Sequence, residues 1–230
     1  MVALNKETGE VVWICKGIGD MLGYSSPTLF EYKGIRQIAT MTHCAVIGVN
    51  AHTGELLWRH EHNTPYNTNI VDPIFHDGCV FITSWTTGSK LLRLDLKGKK
   101  VSVERVWESK DMDNEHGAVV LLDGYLYGGF STLDEESPWA CIEWATGKRT
   151  WADRGIGIGT LVYADGMLYG LNHRRTVALI RATPRAFELV SQFSLPEAGE
   201  GPTWAHPVIC WGRLYIRHSD FLYCYDIKAK

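Results

Sequence analysis

The chain has 230 residues, enough for one large domain or two small ones, and its 45% apolar and 11% aromatic content suffices for a well-buried core. Its 26 acidic and 23 basic residues are dispersed and leave a net charge of −3, which excludes the basic footprint of a nucleic-acid binder. No apolar run reaches the roughly 18 residues that a membrane-spanning helix needs, and the N-terminal "MVALNKETGE" has no signal-peptide core.

In chain order, the first element is "NKETGEVVW", a turn followed by a strand ending at Trp13. The phrase returns as "NAHTGELLW" ending at Trp58, as "DLKGKKVSVERVW" at Trp107, as "EWATGKRTW" at Trp151 and, decayed, as "RATPRAFELVSQF" at Phe193, with steps of 45, 49, 44 and 42 residues. A second phrase, strand, glycine turn and aromatic strand, interleaves with it as "LFEYKGIRQIAT", "IFHDGCVFITS", "VLLDGYLYGGF", "LVYADGMLYGL" and "VICWGRLYIRH". Its glycines, Gly34, Gly78, Gly124, Gly166 and Gly212, are 44, 46, 42 and 46 apart. Two turn signals therefore share one period.

Each period holds two strand–turn–strand phrases, so one repeat is four short antiparallel strands, and no stretch keeps a 3.6-residue period. A four-stranded unit of about 40 to 50 residues cannot bury both faces of its sheet alone; stacking such units around an axis does, which makes them propeller blades. The expected fold is an all-β propeller of about five blades in one domain spanning residues 1–230. A partial blade covers 1–14, complete blades about 26–58, 70–107, 117–151 and 160–193, and a last blade 205–227. Trp13, Trp58, Trp107 and Trp151 are expected between the sheets, as large flat side chains whose indole N–H needs one partner. At the ends, either Val11–Trp13 completes the last blade or the chain remains an open arc that self-associates through its terminal blades.

The six cysteines stand singly in apolar runs and suggest buried thiols rather than a disulfide framework. His60 and His62 in "RHEHN" offer two legs of a zinc site but no third ligand, and "DMDNEHG", with Asp111, Asp113 and Glu115, lacks the sixth-position glycine of a calcium loop. No metal is expected, and no hydrolase, phosphate-loop or metalloprotease motif is present.

The phrases "ALNKETGEVVW", "GVNAHTGELLW", "NEHGAVVLLDGYLYG" and "WAHPVICWGRLYIRHSDFLYCYDIKAK" resemble the pyrroloquinoline-quinone-like (PQQ-like) propeller repeat, and in particular the C-terminal part of uncharacterised bacterial, planctomycete-type members. The resemblance implies a longer parent with further blades ahead of this segment and a periplasmic or secreted location. With no signal peptide in this segment, a cytoplasmic location stays open. Quinoprotein dehydrogenases of this superfamily hold their quinone beside two adjacent cysteines, and this sequence has no such pair. A non-catalytic scaffold without cofactor is therefore expected, binding a protein, a glycan or a small polar ligand. The alternative is a quinoprotein-like oxidoreductase domain with a quinone in the channel.

In a propeller the loop from one blade's outer strand to the next blade's inner strand ends at the channel mouth, where ligands are usually met. This places the candidate ligand-binding residues at Tyr24, Ser25, Asn67, Thr68, Asn69, Glu115, His116, Trp204 and His206.

Overall fold

In the computed structural model, residues 1–98, 100–115, 117–129, 139–196, 199–201 and 203–228 are described. Every regular element among them is a strand. The chain divides into two compact units, Met1–Lys110 and Asp111–Lys230.

The first unit holds β1 (Val2–Leu4) and β2 (Val11–Ile14) as a two-stranded sheet, followed by β3 (Thr28–Tyr32), β4 (Ile35–Met41), β5 (Ala45–Asn50) and β6 (Leu56–Glu61) as an antiparallel meander. A second meander joins β7 (Ile74–His76), β8 (Cys79–Ser84), β9 (Gly88–Lys97) and β10 (Lys100–Ser109). The second unit holds β11 (Val120–Leu122), β12 (Tyr125–Gly129), β13 (Trp139–Glu143) and β14 (Arg149–Asp153), then β15 (Gly159–Ala164), β16 (Met167–Asn172), β17 (Thr176–Arg181) and β18 (Glu188–Ser194). It also contains a three-stranded sheet of β19 (Val208–Cys210), β20 (Arg213–His218) and β21 (Phe221–Asp226). These meanders are propeller blades.

The local chemistry explains the blades. At all five repeated glycines the two central turn residues have positive φ, as in Asp77 (46°) with Gly78 (72°) and Asp165 (50°) with Gly166 (78°). This is the type I′ hairpin, whose twist matches that of the strands it joins. The Thr-Gly phrase forms a second recurrent turn. Asn50 Oδ1 accepts the amides of His52 and Thr53, Gly54 takes φ 74°, and Gly54 N donates to Asn50 O at 2.8 Å. Asn5 and Gly9 repeat these bonds, and Glu143 and Gly147 repeat the closing backbone pair. Where the phrase has decayed to "DLKGKK", the hairpin of β9 and β10 runs on for ten residues in each strand.

The middle strands β5, β8 and β13 are buried almost throughout, whereas the outer strand β18 is exposed along its length. In the first unit Ala39, Met41, Val46 and Trp58 pack on Val80, Ile82, Leu92 and Leu94 of the next blade. Tyr127, Trp139 and Cys141 meet Leu161, Leu168 and Ile180 in the same way in the second unit. The repeated tryptophans occupy two kinds of place. Trp13 Nε1 donates to Ala51 O at 3.1 Å and Trp151 Nε1 to Thr183 O at 2.9 Å, so each docks on the next blade's outer turn while half-buried. A Cβ on Gly54 would lie 2.5 Å from the Trp13 ring, which is why that turn needs glycine for space as well as for φ. Trp58 is fully buried over Gly48 of its own sheet, with Nε1 donating to Gln37 Oε1 at 2.8 Å. Trp107 is half-buried against Phe81, and the more deeply buried Trp139 lies outside the repeated phrase.

Candidate functional site

The first unit presents three loops that one residue ties together. Asn69 is fully buried; its Nδ2 donates to Thr42 O (2.9 Å) and His62 O (3.1 Å), and its Oδ1 accepts from Ser84 Oγ (2.6 Å). Its carbonyl also accepts the Tyr24 amide at 2.8 Å. The segments around Tyr24, Thr42 and His62 are therefore held on one strut. Placed on the rim by sequence, Asn69 directs its amide into the structure and holds the loops rather than facing solvent.

Its neighbours divide by environment. Ser25 Oγ accepts the Met41 amide (2.8 Å) and lies 3.1 Å from Thr40 Oγ1, which ties the loop to β4. The Thr68 amide donates to Thr64 Oγ1 at 2.8 Å, and Asn67 takes the left-handed conformation (φ 57°) that asparagine tolerates. Tyr24 is 71% exposed. Glu115 is half-buried in the second unit, where Trp204 and His206 are exposed and Trp204 lines a small hollow with Arg217 and Ser219. His116 lies outside the described residues.

Between β2 and β4 the first unit has a cavity of about 220 Å³, lined by Cys15, Ile18, Met21, Pro27, Met41 and Ile47 with the polar groups of Asp20, Ser25, Thr40 and Thr42. At its edge Asp20 Oδ2 accepts from Thr42 Oγ1 (2.8 Å) and from Arg59 Nε (3.3 Å). Burial pushes the Asp20 carboxyl up, but the bonds from Thr42 and Arg59 outweigh it and hold the group below its usual value. Met21 and Leu22 of this lining are exposed, as is Tyr24 after them, and in the loop that carries Asn69 the exposed Tyr66 stacks on Trp85 with ring centroids 5.3 Å apart and planes at 14°. Leu22, Tyr66 and Trp85 stand outside the repeated phrases, so the repeat pattern does not single them out.

His62 is buried with both ring nitrogens lacking a hydrogen-bond partner. Burial, helped by the charges of Lys90, His60 and Lys110, lowers its pKa to about 3. All six cysteines are free thiols, with Cys15, Cys79 and Cys141 buried.

The family profile described as "Outer membrane protein assembly factor BamB" matches residues 1–153, two thirds of the chain. The chain belongs to this family of PQQ-like propeller repeat proteins. None of the curated proteins matches it. Among solved structures, this PQQ-like propeller is similar to the computationally designed Ika8 protein (15% identity, TM-score 0.64, 96% of this chain and 63% of that one). It is similar also to BamB from Moraxella catarrhalis (13%, TM-score 0.50, 97% and 74%) and to quinohemoprotein alcohol dehydrogenase ADHIIG from Pseudomonas putida HK5 (14%, TM-score 0.65, 94% and 42%). It thus spans under two thirds of the Ika8 chain and less than half of the dehydrogenase. Likeness at these identities establishes the fold alone.

Proposed function

We infer that the chain is a non-catalytic propeller module whose first-unit loop face binds a segment of a partner protein. One observation carries this: Asn69 bonds three loops together near a 220 Å³ cavity while Met21, Leu22, Tyr24 and Tyr66 stand exposed on them. Large apolar and aromatic side chains on a fixed backbone are the usual anchors of protein interfaces. The family's described role in outer-membrane protein assembly is consistent with a protein partner and with a periplasmic or secreted site of action. A single-domain, five-blade organisation and self-association through terminal strands belong to the same proposal.

A photo-crosslinking residue placed at Tyr24 or Tyr66 in the natural host tests it. A discrete protein adduct is expected from these two positions and none from Lys6 or His52 in the outer turns. After purification, that partner should bind about tenfold or more weakly to the Tyr66→Ala and Leu22→Ser variants. Adducts only from the outer-turn positions refute the assignment of the face. Saturable binding of pyrroloquinoline quinone or of an oligosaccharide at this face, without a protein adduct, replaces the protein-partner reading.

A further inference from the structure

Among the described residues, Asp20, His43 and Cys44 bring a carboxylate oxygen, an imidazole nitrogen and a sulfur within 4.8 Å of one another, all three half-buried. Their sequence spacing does not suggest it. Asp20 precedes the first strand of its blade, whereas His43 and Cys44 form the turn between β4 and β5, and the bridge between Leu22 and Thr42 closes the gap. The Thr42 hydroxyl donates to Asp20 Oδ2 at 2.8 Å and orients the carboxylate, as an outer-shell group orients a metal ligand.

The position already holds a cation. Arg59 reaches Asp20 through Nε and Nη2 (3.3 and 3.4 Å) and Cys44 Sγ through Nη2 (3.3 Å). Arg59 also has an alternative partner, since its Nη1 lies 3.6 Å from the exposed Glu61 carboxylate. A positive charge at this place is thus stabilised by two of the three ligands, and the arginine has somewhere to go.

We propose that this cluster is a zinc-type site, in which a divalent ion takes Asp20, His43 and Cys44 as ligands and displaces the Arg59 guanidinium toward Glu61. The donor set selects the metal: one thiolate, one imidazole and one carboxylate suit borderline-soft zinc, whereas calcium and magnesium require oxygen alone. Bonds of about 2.0–2.3 Å put the ligand atoms of a tetrahedral zinc about 3.5 Å apart, so a set that lies within 4.8 Å closes by at most about 1.3 Å. Binding releases the thiol proton to solvent. Three protein ligands leave one position open for a water or a ligand group, and Asp20 also lines the cavity described above.

The test uses the full chain, freed of metal by a chelator. Cobalt(II), a spectroscopic substitute for zinc, is expected to give a sulfur-to-cobalt charge-transfer band that saturates at one equivalent and is bleached by zinc. Cys44→Ser should abolish the band and Cys15→Ser should retain it, while His43→Ala and Asp20→Asn should each weaken binding by about tenfold or more. Arg59→Gln should tighten binding several-fold, because it removes the competing cation. In the wild type, zinc should protect Cys44 from alkylation, read by mass spectrometry. This last measurement needs no variant to fold. Absence of the band, its persistence in Cys44→Ser, or alkylation of Cys44 at an unchanged rate with zinc present overturns the site. Weaker binding by Arg59→Gln overturns the displacement of the arginine.

Discussion

The buried His62 makes the stability of the first unit sensitive to acid. Its folded pKa is about 3, against an ordinary value of 6.5 in the unfolded chain. Below about pH 6.5 the unfolded state therefore takes up a proton that the folded state refuses until about pH 3, so stability falls as pH falls through that window and is flat above it. From neutral pH to about pH 5 the unfolded form gains about 1.5 units of protonation free energy, worth about 2 kcal/mol at 1.36 kcal/mol per unit. Lys90, His60 and Lys110 all carry or acquire positive charge beside the ring and act in the same direction. Urea denaturation of wild type and His62→Phe at about pH 7 and pH 5 reads the effect, because losses from carboxylate protonation are common to both proteins. The wild type is expected to lose about 2 kcal/mol more than the variant. The variant should match or exceed the wild type at neutral pH, since it removes a buried N–H with no partner. Equal losses in the two proteins would refute the placement of a neutral, unpartnered imidazole at this position.

Replacing Trp58 by Leu empties the space over Gly48 and leaves the Gln37 carbonyl without its donor, so a loss of about 3 kcal/mol is expected in the same assay. Phe193 stands where other blades carry tryptophan, and beside it Tyr169, Leu214 and Tyr225 line a largely apolar slot of about 240 Å³. Phe193→Trp is expected to fill part of that slot and raise stability by about 1 kcal/mol, seen as a higher thermal midpoint; a lower midpoint would mean that the slot cannot take an indole.

The fold was legible in the sequence because blades are made by local chemistry. A type I′ turn needs two residues that accept positive φ, and a glycine every 42 to 46 residues, preceded by aspartate in three of the five turns, announces it; the Asn/Thr-Gly turn announces the outer hairpin through hydrogen bonds within six residues. Register follows from two-residue loops, as in Tyr32 opposite Ile35 and Ala164 opposite Met167. The same locality explains what was missed. Asn69 reads as a polar loop residue like Asn67, and only the approach of three loops makes it a buried strut while Asn67 faces solvent. Trp13 and Trp58 end near-identical phrases, yet one docks on the next blade and the other lies over its own sheet beside Gln37. Asp20 and Cys44 are 24 residues apart with no motif between them, and the bridge from Leu22 to Thr42 brings them together. Sequence alone determined the repeat, its strands and its turns, because those depend on residues close along the chain. Tertiary structure decided which polar groups are buried, paired or brought together, because that depends on which loops meet in space and how much water they exclude.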